Sequence, residues 1–232
     1  MRILVQGCRQ ALSLLLAGDP EIWEITCRTV AVSGSATALS VLVGLPLGFM
    51  LAMRPFRARP LVVSWANAGM GLPPVVVGLW VSLMLWRYGP LGRLGLLYTP
   101  VAMVLAQAVI ATPLVAALSM AGLQQLGERV KLQIMALGAS PVQAVWLMVR
   151  EARYSLLAAV MAGFGAVVSE VGASMMVGGN IRGHTRVLTT ATVLEVSKGN
   201  FEVAIALSFI LLVLAWGITF LLTVLQQRNY RR

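Results

Sequence analysis

Five stretches of the chain, approximately Ile25–Met53, Leu61–Trp86, Leu96–Ala121, Ser155–Gly179 and Phe201–Leu225, are apolar almost without interruption. Each is long enough to cross the hydrocarbon of a bilayer, about 30 Å, which takes about 20 residues of helix. The runs are continuous rather than alternating, and in lipid a single segment satisfies its own backbone amides only as a helix. The expected fold is therefore all-α, a polytopic membrane bundle with five transmembrane helices. Composition points the same way: of 232 residues, 59% are hydrophobic and 11% charged, against roughly 45–50% and 25% in soluble domains. That much apolar surface exceeds what the chain's own interior can hide, so the lipid bilayer is its first partner.

The formal net charge of +10 does not indicate nucleic acid, because no basic run is interleaved with aromatic residues. The cations lie between the apolar stretches, where they set orientation. The loops after spans 1 and 3 share one side with the C-terminus. They carry ten of the 18 Lys and Arg, with Arg54, Arg57 and Arg59 set hard against the end of span 1. That side is assigned to the cytoplasm, which leaves the N-terminus outside and residues 227–232 as a cytoplasmic basic tail. Residues 1–22 form an amphipathic segment, with Ile3, Leu4, Cys8, Leu12 and Leu15 on one face and Arg2, Gln6, Arg9 and Ser13 opposite. Arg2 and Arg9 flanking Leu12–Ala17 also resemble a signal peptide, but the two-faced pattern predicts an interfacial helix, ended by Asp19-Pro20. Residues 23–226 make the transmembrane domain. Cys8 and Cys27 have no close Cys or His companion, so no metal site or cofactor is expected; they are either a disulfide or two ordinary thiols.

The connection Gly122–Tyr154 is far longer than a link between spans needs, and it has helical patterning of its own. Gly138 suits the end of one helix, where a left-handed residue is wanted. Ser140 can cap the next, and Pro141 fits its first turn. The result is a corner followed by a short helix, Pro141–Val149, with Val142, Val145, Trp146 and Val149 on one side. It is either an interfacial helix anchored by Trp146 or a docking knob for a cytoplasmic protein. No Gly-x4-Gly-Lys-Ser/Thr loop occurs, so the chain does not power transport itself.

Span 4 holds the one acid placed within the membrane, Glu170. Burying a carboxylate there costs on the order of 2.5–3.5 kcal/mol, so it should face the bundle or a wet cavity. It is either a pathway or gate residue, or a structural acid, protonated or hydrogen-bonded to neighbouring helices. Gly163, Gly165, Gly172 and Ala173 suit close helix packing. In the second long connection, 180–200, Asn180, Arg182, Thr185 and Arg186 supply amide, hydroxyl and guanidinium donors. That set fits transient contact with a tetrahedral dianion, or docking of acidic residues from an external partner. His184 is read as a solvated loop residue. No catalytic residue is expected: an intramembrane enzyme would need a nucleophile or metal set within the spans, where, away from their ends, only Glu170 is charged.

Leu137-Gly138-Ala139-Ser140-Pro141 resembles the core of the EAA loop of type I ABC importer permeases. The EAA positions here read Leu132-Gln133-Ile134, and the later Leu-Pro region reads Val149-Arg150-Glu151. The motifs Gly44-Leu-Pro-Leu-Gly48 and Leu72-Pro-Pro-Val-Val-Val-Gly78 resemble that family in the same order, over about residues 23–226. The resemblance implies that the helix after Gly138 is a coupling helix seated on an ATPase subunit, involving Leu137, Gly138, Ala139, Ser140, Pro141, Val145 and Trp146. Ser169-Glu-Val-Gly-Ala173, Gly179-Asn-Ile-Arg-Gly183 and Arg150-Glu-Ala-Arg-Tyr154 resemble the tungstate-uptake branch of these permeases. Molybdate permeases differ at the places of Val171 and Arg182. The implied protein is a permease subunit, not an enzyme, in a prokaryotic cell membrane. Its implied partners are a second copy of itself, a cytoplasmic ATP-binding subunit and an extracytoplasmic oxyanion-binding protein, with tungstate as cargo. Molybdate or sulfate is the alternative cargo, and an ATP-independent channel the alternative mechanism. The translocation and gate residues would be Glu170, Gly172, Asn180, Arg182, Thr185 and Arg186.

Overall fold

The computed structural model describes residues 20–228. Among them are α1 (Pro20–Met53), α2 (Arg59–Gly69), α3 (Pro74–Leu85), a 3-10 turn (Gly92–Leu94), α4 (Pro100–Gln124), α5 (Gly127–Ala136), α6 (Pro141–Glu151), α7 (Arg153–Val168), α8 (Gly172–Gly178), α9 (Leu188–Ser197) and α10 (Phe201–Arg228), with no strand among the described residues. The all-α membrane bundle expected from the apolar runs is what forms. Helices α1, α4 and α10 are each long and apolar enough to cross a bilayer, and counting the bent pairs α2–α3 and α6–α7 as one span each gives five.

The centre of the bundle is the meeting of α1, α4 and α7, and small residues make it possible. A Cβ on Gly44 would lie 2.9 Å from the Val115 Cβ, and one on Gly163 would lie 2.7 Å from its Cγ2. Val115 is thus clamped between two glycine-lined helix faces and is fully buried. Ala36, Ala111 and Val167 close the same junction. Lipid tails are as apolar as these side chains, so close van der Waals contact rather than the hydrophobic effect holds such helices together. Three of the hydroxyls buried in α1 are satisfied within the helix: Thr29, Thr37 and Ser40 each donate at 2.7 Å to the carbonyl four residues earlier.

Two expected spans are broken. The run Leu61–Trp86 is two helices, α2 and α3, at 106° to each other. Pro73 and Pro74 explain it: two successive residues lack an amide donor, and Pro74 opens α3 at a position where that loss is harmless. Single prolines do not have this effect, since Pro46 and Pro113 sit inside the continuous helices α1 and α4. Gly69, at the end of α2, packs so tightly on Pro113 that a Cβ there would come within 2.5 Å. The run Ser155–Gly179 is likewise interrupted at residues 169–171, between α7 and α8. The connection 180–200 contains α9, which packs Leu188 and Ala191 against Ala206, Leu207 and Ile210 of α10 and Ile22 and Ile25 of α1.

Helix α1 begins at Pro20, so residues 20–22, assigned above to the amphipathic segment, are its first turn. The rest of that segment, with Cys8, and the tail beyond Arg228 lie outside the described residues. Cys27 is exposed on α1. Along α10, Leu212, Trp216, Phe220 and Leu221 remain exposed, as a helix facing lipid or a second chain would leave them.

Candidate functional site

The expected functional residues fall into two groups along α1, one at its C-terminal end and one reaching from its middle to its start; its 34 residues span about 50 Å at 1.5 Å per residue. At its C-terminal end lies the corner between α5 and α6. Gly138 adopts φ +74°, the left-handed conformation that glycine enters without penalty. The Ala139 amide donates to the Ile134 carbonyl at 3.4 Å, closing the helix end. The next helix starts with a reciprocal cap: the Gln143 amide donates to Ser140 Oγ at 3.4 Å, and the Ser140 amide donates to Gln143 Oε1 at 2.8 Å.

The expected apolar side of α6 divides in two. Met148 is the residue that α6 buries, while Val145 and Val149, 42% and 40% exposed, line with Leu45, Pro46, Phe49, Leu123 and Leu156 an open apolar groove of about 340 Å³ beside the helix. Val142 and Trp146 turn outward at 79% and 58% exposure, and Leu137 beside them is 86% exposed. The Arg150 guanidinium lies over the Trp146 ring, 5.2 Å from its centroid. Helix α6 runs into α7 through Ala152 with a 67° bend, and α7 is one of the helices of the bundle centre.

The second group surrounds the break before α8. Glu170 is 7% exposed, and its Oε1 accepts the Ala173 amide at 2.8 Å. Its backbone carbonyl accepts the Thr189 hydroxyl at 3.1 Å. The carboxyl therefore acts where the helix restarts, as a capping side chain does. Helices α3 and α8, the second halves of the two broken spans, touch through glycine. A Cβ on Gly78 would lie 2.7 Å from the Ala173 Cα, and one on Gly172 would lie 2.7 Å from Val75 Cγ2. Gln107 of α4 donates to Ser174 Oγ at 2.9 Å, a buried polar link to α8.

This geometry separates the two roles weighed for Glu170. Glu170→Gln keeps the acceptor for Ala173 and should leave stability and uptake near wild type. Glu170→Ala removes the cap and should cost about 0.5–2 kcal/mol, read as a lower melting temperature of the purified protein. A pathway role that needs the charge predicts instead that glutamine alone stops uptake.

Beyond α8, Asn180 is left-handed at φ +51°, and its Nδ2 donates to the Thr190 carbonyl at 3.3 Å. Thr185 is fully buried; its hydroxyl donates to the Gly178 carbonyl and accepts the Ile181 amide, drawing residues 178–185 into a tight loop. Neither arginine of this loop stands alone. Arg182 forms a two-pronged hydrogen bond with the Glu21 carboxylate, and Arg186 Nη1 lies 3.5 Å from Glu21 Oε1. Arg28 pairs with Glu24 and donates to the carbonyls of Gly183 at 3.0 Å and Arg186 at 3.1 Å. At the far end of α9, hydrogen bonds from Lys198 and then Asn200 hold the Glu195 carboxyl below its usual range.

Sequence reasoning does not single out Glu21, Glu24 or Arg28, and it meets Gly78 only as the last residue of the motif Leu72–Gly78. The spacing of Glu24 and Arg28, four apart on one helix, is the available signal for that pair. Nothing local marks Glu21, or tells that Gly78 meets α8.

A bundle of broken and continuous membrane helices, with an exposed capped helix at one end and a polar loop at the other, is the form of a transporter's membrane subunit. The chain belongs to the family described as binding-protein-dependent transport system inner membrane component, which matches residues 44–232. It is 39% identical to the tungstate uptake system permease protein TupB of Peptoclostridium acidaminophilum, over 98% of this chain and 100% of that one. To a probable anion ABC transporter permease protein of Haloferax volcanii it is 42% identical, over 84% of this chain and 86% of that one. Sulfate and molybdenum transport permeases match at 26% to 28% identity. The fold is shared with the MetNI methionine ABC transporter in an inward-facing crystal form, with a TM-score of 0.70, 21% identity, and coverage of 92% of this chain and 98% of that one.

Proposed function

We propose that the chain is the permease of an ATP-driven importer of a tetrahedral oxyanion, with tungstate as the cargo. The substrate reading is carried by the near full-length similarity to a tungstate uptake permease, at 39% identity against 26% to 28% for sulfate and molybdenum permeases. A cytoplasmic ATP-binding subunit docks on the corner at Leu137–Pro141 and on Val145 and Trp146. This is supported by the outward faces of Val142 and Trp146 on a helix that is capped at its start and bent into α7. The end bearing Glu21 and the loop 180–187 then faces outside and receives an extracytoplasmic oxyanion-binding protein. A second copy of the chain supplies the opposite wall of the pathway, a reading supported by the exposed apolar residues Val75, Leu79 and Leu83 of α3.

In this mechanism ATP-driven closure of the partner displaces α6, α6 levers α7, and α4 and α7 rock against α1. The glycine contacts between α3 and α8 transmit that motion to the end near Glu170, Gly172 and Asn180. Substrate choice lies mostly in the binding protein, and the pathway has only to avoid holding the anion tightly. The test is uptake of radiolabelled tungstate into proteoliposomes holding the permease with its ATP-binding subunit and binding protein. The expected result is ATP-dependent uptake that excess unlabelled tungstate suppresses more strongly than molybdate or sulfate. Uptake without the ATP-binding subunit would make the protein a channel, and stronger suppression by molybdate or sulfate would replace the cargo.

A further inference from the structure

We propose that Glu21 is a built-in competitor for the cargo: its carboxylate holds the guanidiniums of Arg182 and Arg186 until a tetrahedral oxyanion displaces it, freeing the first turn of α1 from the loop after α8. The inference rests on the oxyanion reading above and adds a site, a competitor and a consequence to it.

The geometry is that of an anion site already holding a carboxylate. Arg182 directs Nε and Nη2 at the two oxygens of Glu21, a planar fork that accepts two oxygens of a carboxylate or one edge of a tetrahedral oxyanion. Arg186 approaches one of the same oxygens, with Nη1 at 3.5 Å. Its Nε is buried and has no hydrogen-bond partner among the described residues. The Glu21 carboxylate leaves Arg186 Nε unmet; an ion with four oxygens and twice the charge can reach it as well.

Exposure divides the cluster into parts that stay and parts that exchange. Arg28 is 13% exposed and is bound to two carbonyls of the loop, so it fixes the loop's position. Arg182 is 73% and Glu21 37% exposed, and ion pairs so open to water are weak and screened by salt. A dianion outbids such a monoanion on two cationic partners. Arg186, at 16% exposure, is recessed, which admits a small free ion more readily than a side chain on another protein's surface. Exchange would have a mechanical result. The loop is continuous with α8, and α8 is locked to α3 at Gly78 and Ala173. Arrival of cargo would therefore loosen the first turn of α1, at Glu21, from the loop that leads back to these two helices, while Arg28 keeps the rest of α1 attached.

The test is calorimetric titration of sodium tungstate into the complete permease–ATPase complex in lipid nanodiscs, without the binding protein. Glu21→Gln removes the competitor and should tighten tungstate binding about five-fold, the reciprocal of the fraction left open by a weak exposed pair. Adding Arg182→Gln should cancel the gain. Glu21→Asp, which draws the carboxylate back by one methylene, should shift affinity in the same direction by less, and it serves if the glutamine variant does not assemble. Unchanged affinity in the Glu21 variants, or a gain that survives loss of Arg182, would overturn the proposal. So would tighter capture of the binding protein with unchanged tungstate affinity, which would assign the arginines to a protein carboxylate. Uptake by the wild-type system, run in parallel, separates the two levels: uptake without the binding gain sinks the competitor alone, and no oxyanion uptake at all sinks the functional reading beneath it.

Discussion

Gly48→Leu is expected to remove most folded permease from the membrane fraction, because no side chain fits where α1 crosses α4. A Cβ at Gly48 would lie 2.6 Å from the Ala116 carbonyl oxygen, 2.8 Å from Ser119 Cβ and 3.1 Å from the Met120 amide nitrogen. Two of these are backbone atoms of a continuous helix and cannot rotate aside, so α1 itself must move. Moving it opens the seam that also buries Ala36, Ser40 and Leu51. Overpacking a tight interior costs about 1–3 kcal/mol, and here the strain falls on backbone in a bundle held together by close contact. The expected loss is about 3 kcal/mol or more, seen as aggregated material on size exclusion and a sharply lowered melting temperature. Gly34 lies on the same helix, and a Cβ there would have nothing within 4 Å, so Gly34→Leu should accumulate normally. Equal behaviour of the two variants would refute the packing argument.

How much can be read from the chain follows from the distance over which each feature is decided. Spans α1, α4 and α10 are legible because apolar length is a local property. The corner is legible for the same reason, since Gly138, Ser140, Pro141 and Gln143 act within a few residues of one another. The break at Pro73 and Pro74 is not, because proline also sits inside α1 and α4 without breaking them; what differs is the doubling and the neighbouring Gly69 wedged on Pro113. The break at 169–171 contains no proline. Its hydrogen bonds include one from Thr189, 19 residues onward, which no pattern in span 4 announces. Arg182 and Arg186 are legible as donors, but their partner is not, since Glu21 is 161 residues from Arg182. Reading the loop alone leaves those guanidiniums to an external anion; the fold gives them an internal one.

Gly138→Val should produce the opposite phenotype to Gly48→Leu: a permease that folds and no longer transports. There is room at Gly138, with nothing within 4 Å of a Cβ, but its φ of +74° is a conformation that a β-branched residue resists. The left-handed conformation costs an L-residue roughly 1–2 kcal/mol, and this strain is relieved most cheaply by turning the exposed helix α6 rather than by disturbing the buried α1–α4–α7 junction. Turning α6 moves Val142 and Trp146, the outward residues, and withdraws Val145 and Val149 from their groove. If force enters through this corner, uptake should fall roughly ten-fold, since about 1.4 kcal/mol of misplacement is worth a factor of ten in a docking equilibrium. Membrane accumulation should stay near wild type. Asparagine tolerates the left-handed region far better than valine, so Gly138→Asn should retain most uptake, an ordering that follows backbone angle and not side-chain size. Valine and asparagine variants with equal uptake, both well assembled, would show that the corner's conformation does not matter to transport and that the ATP-binding subunit engages the permease elsewhere.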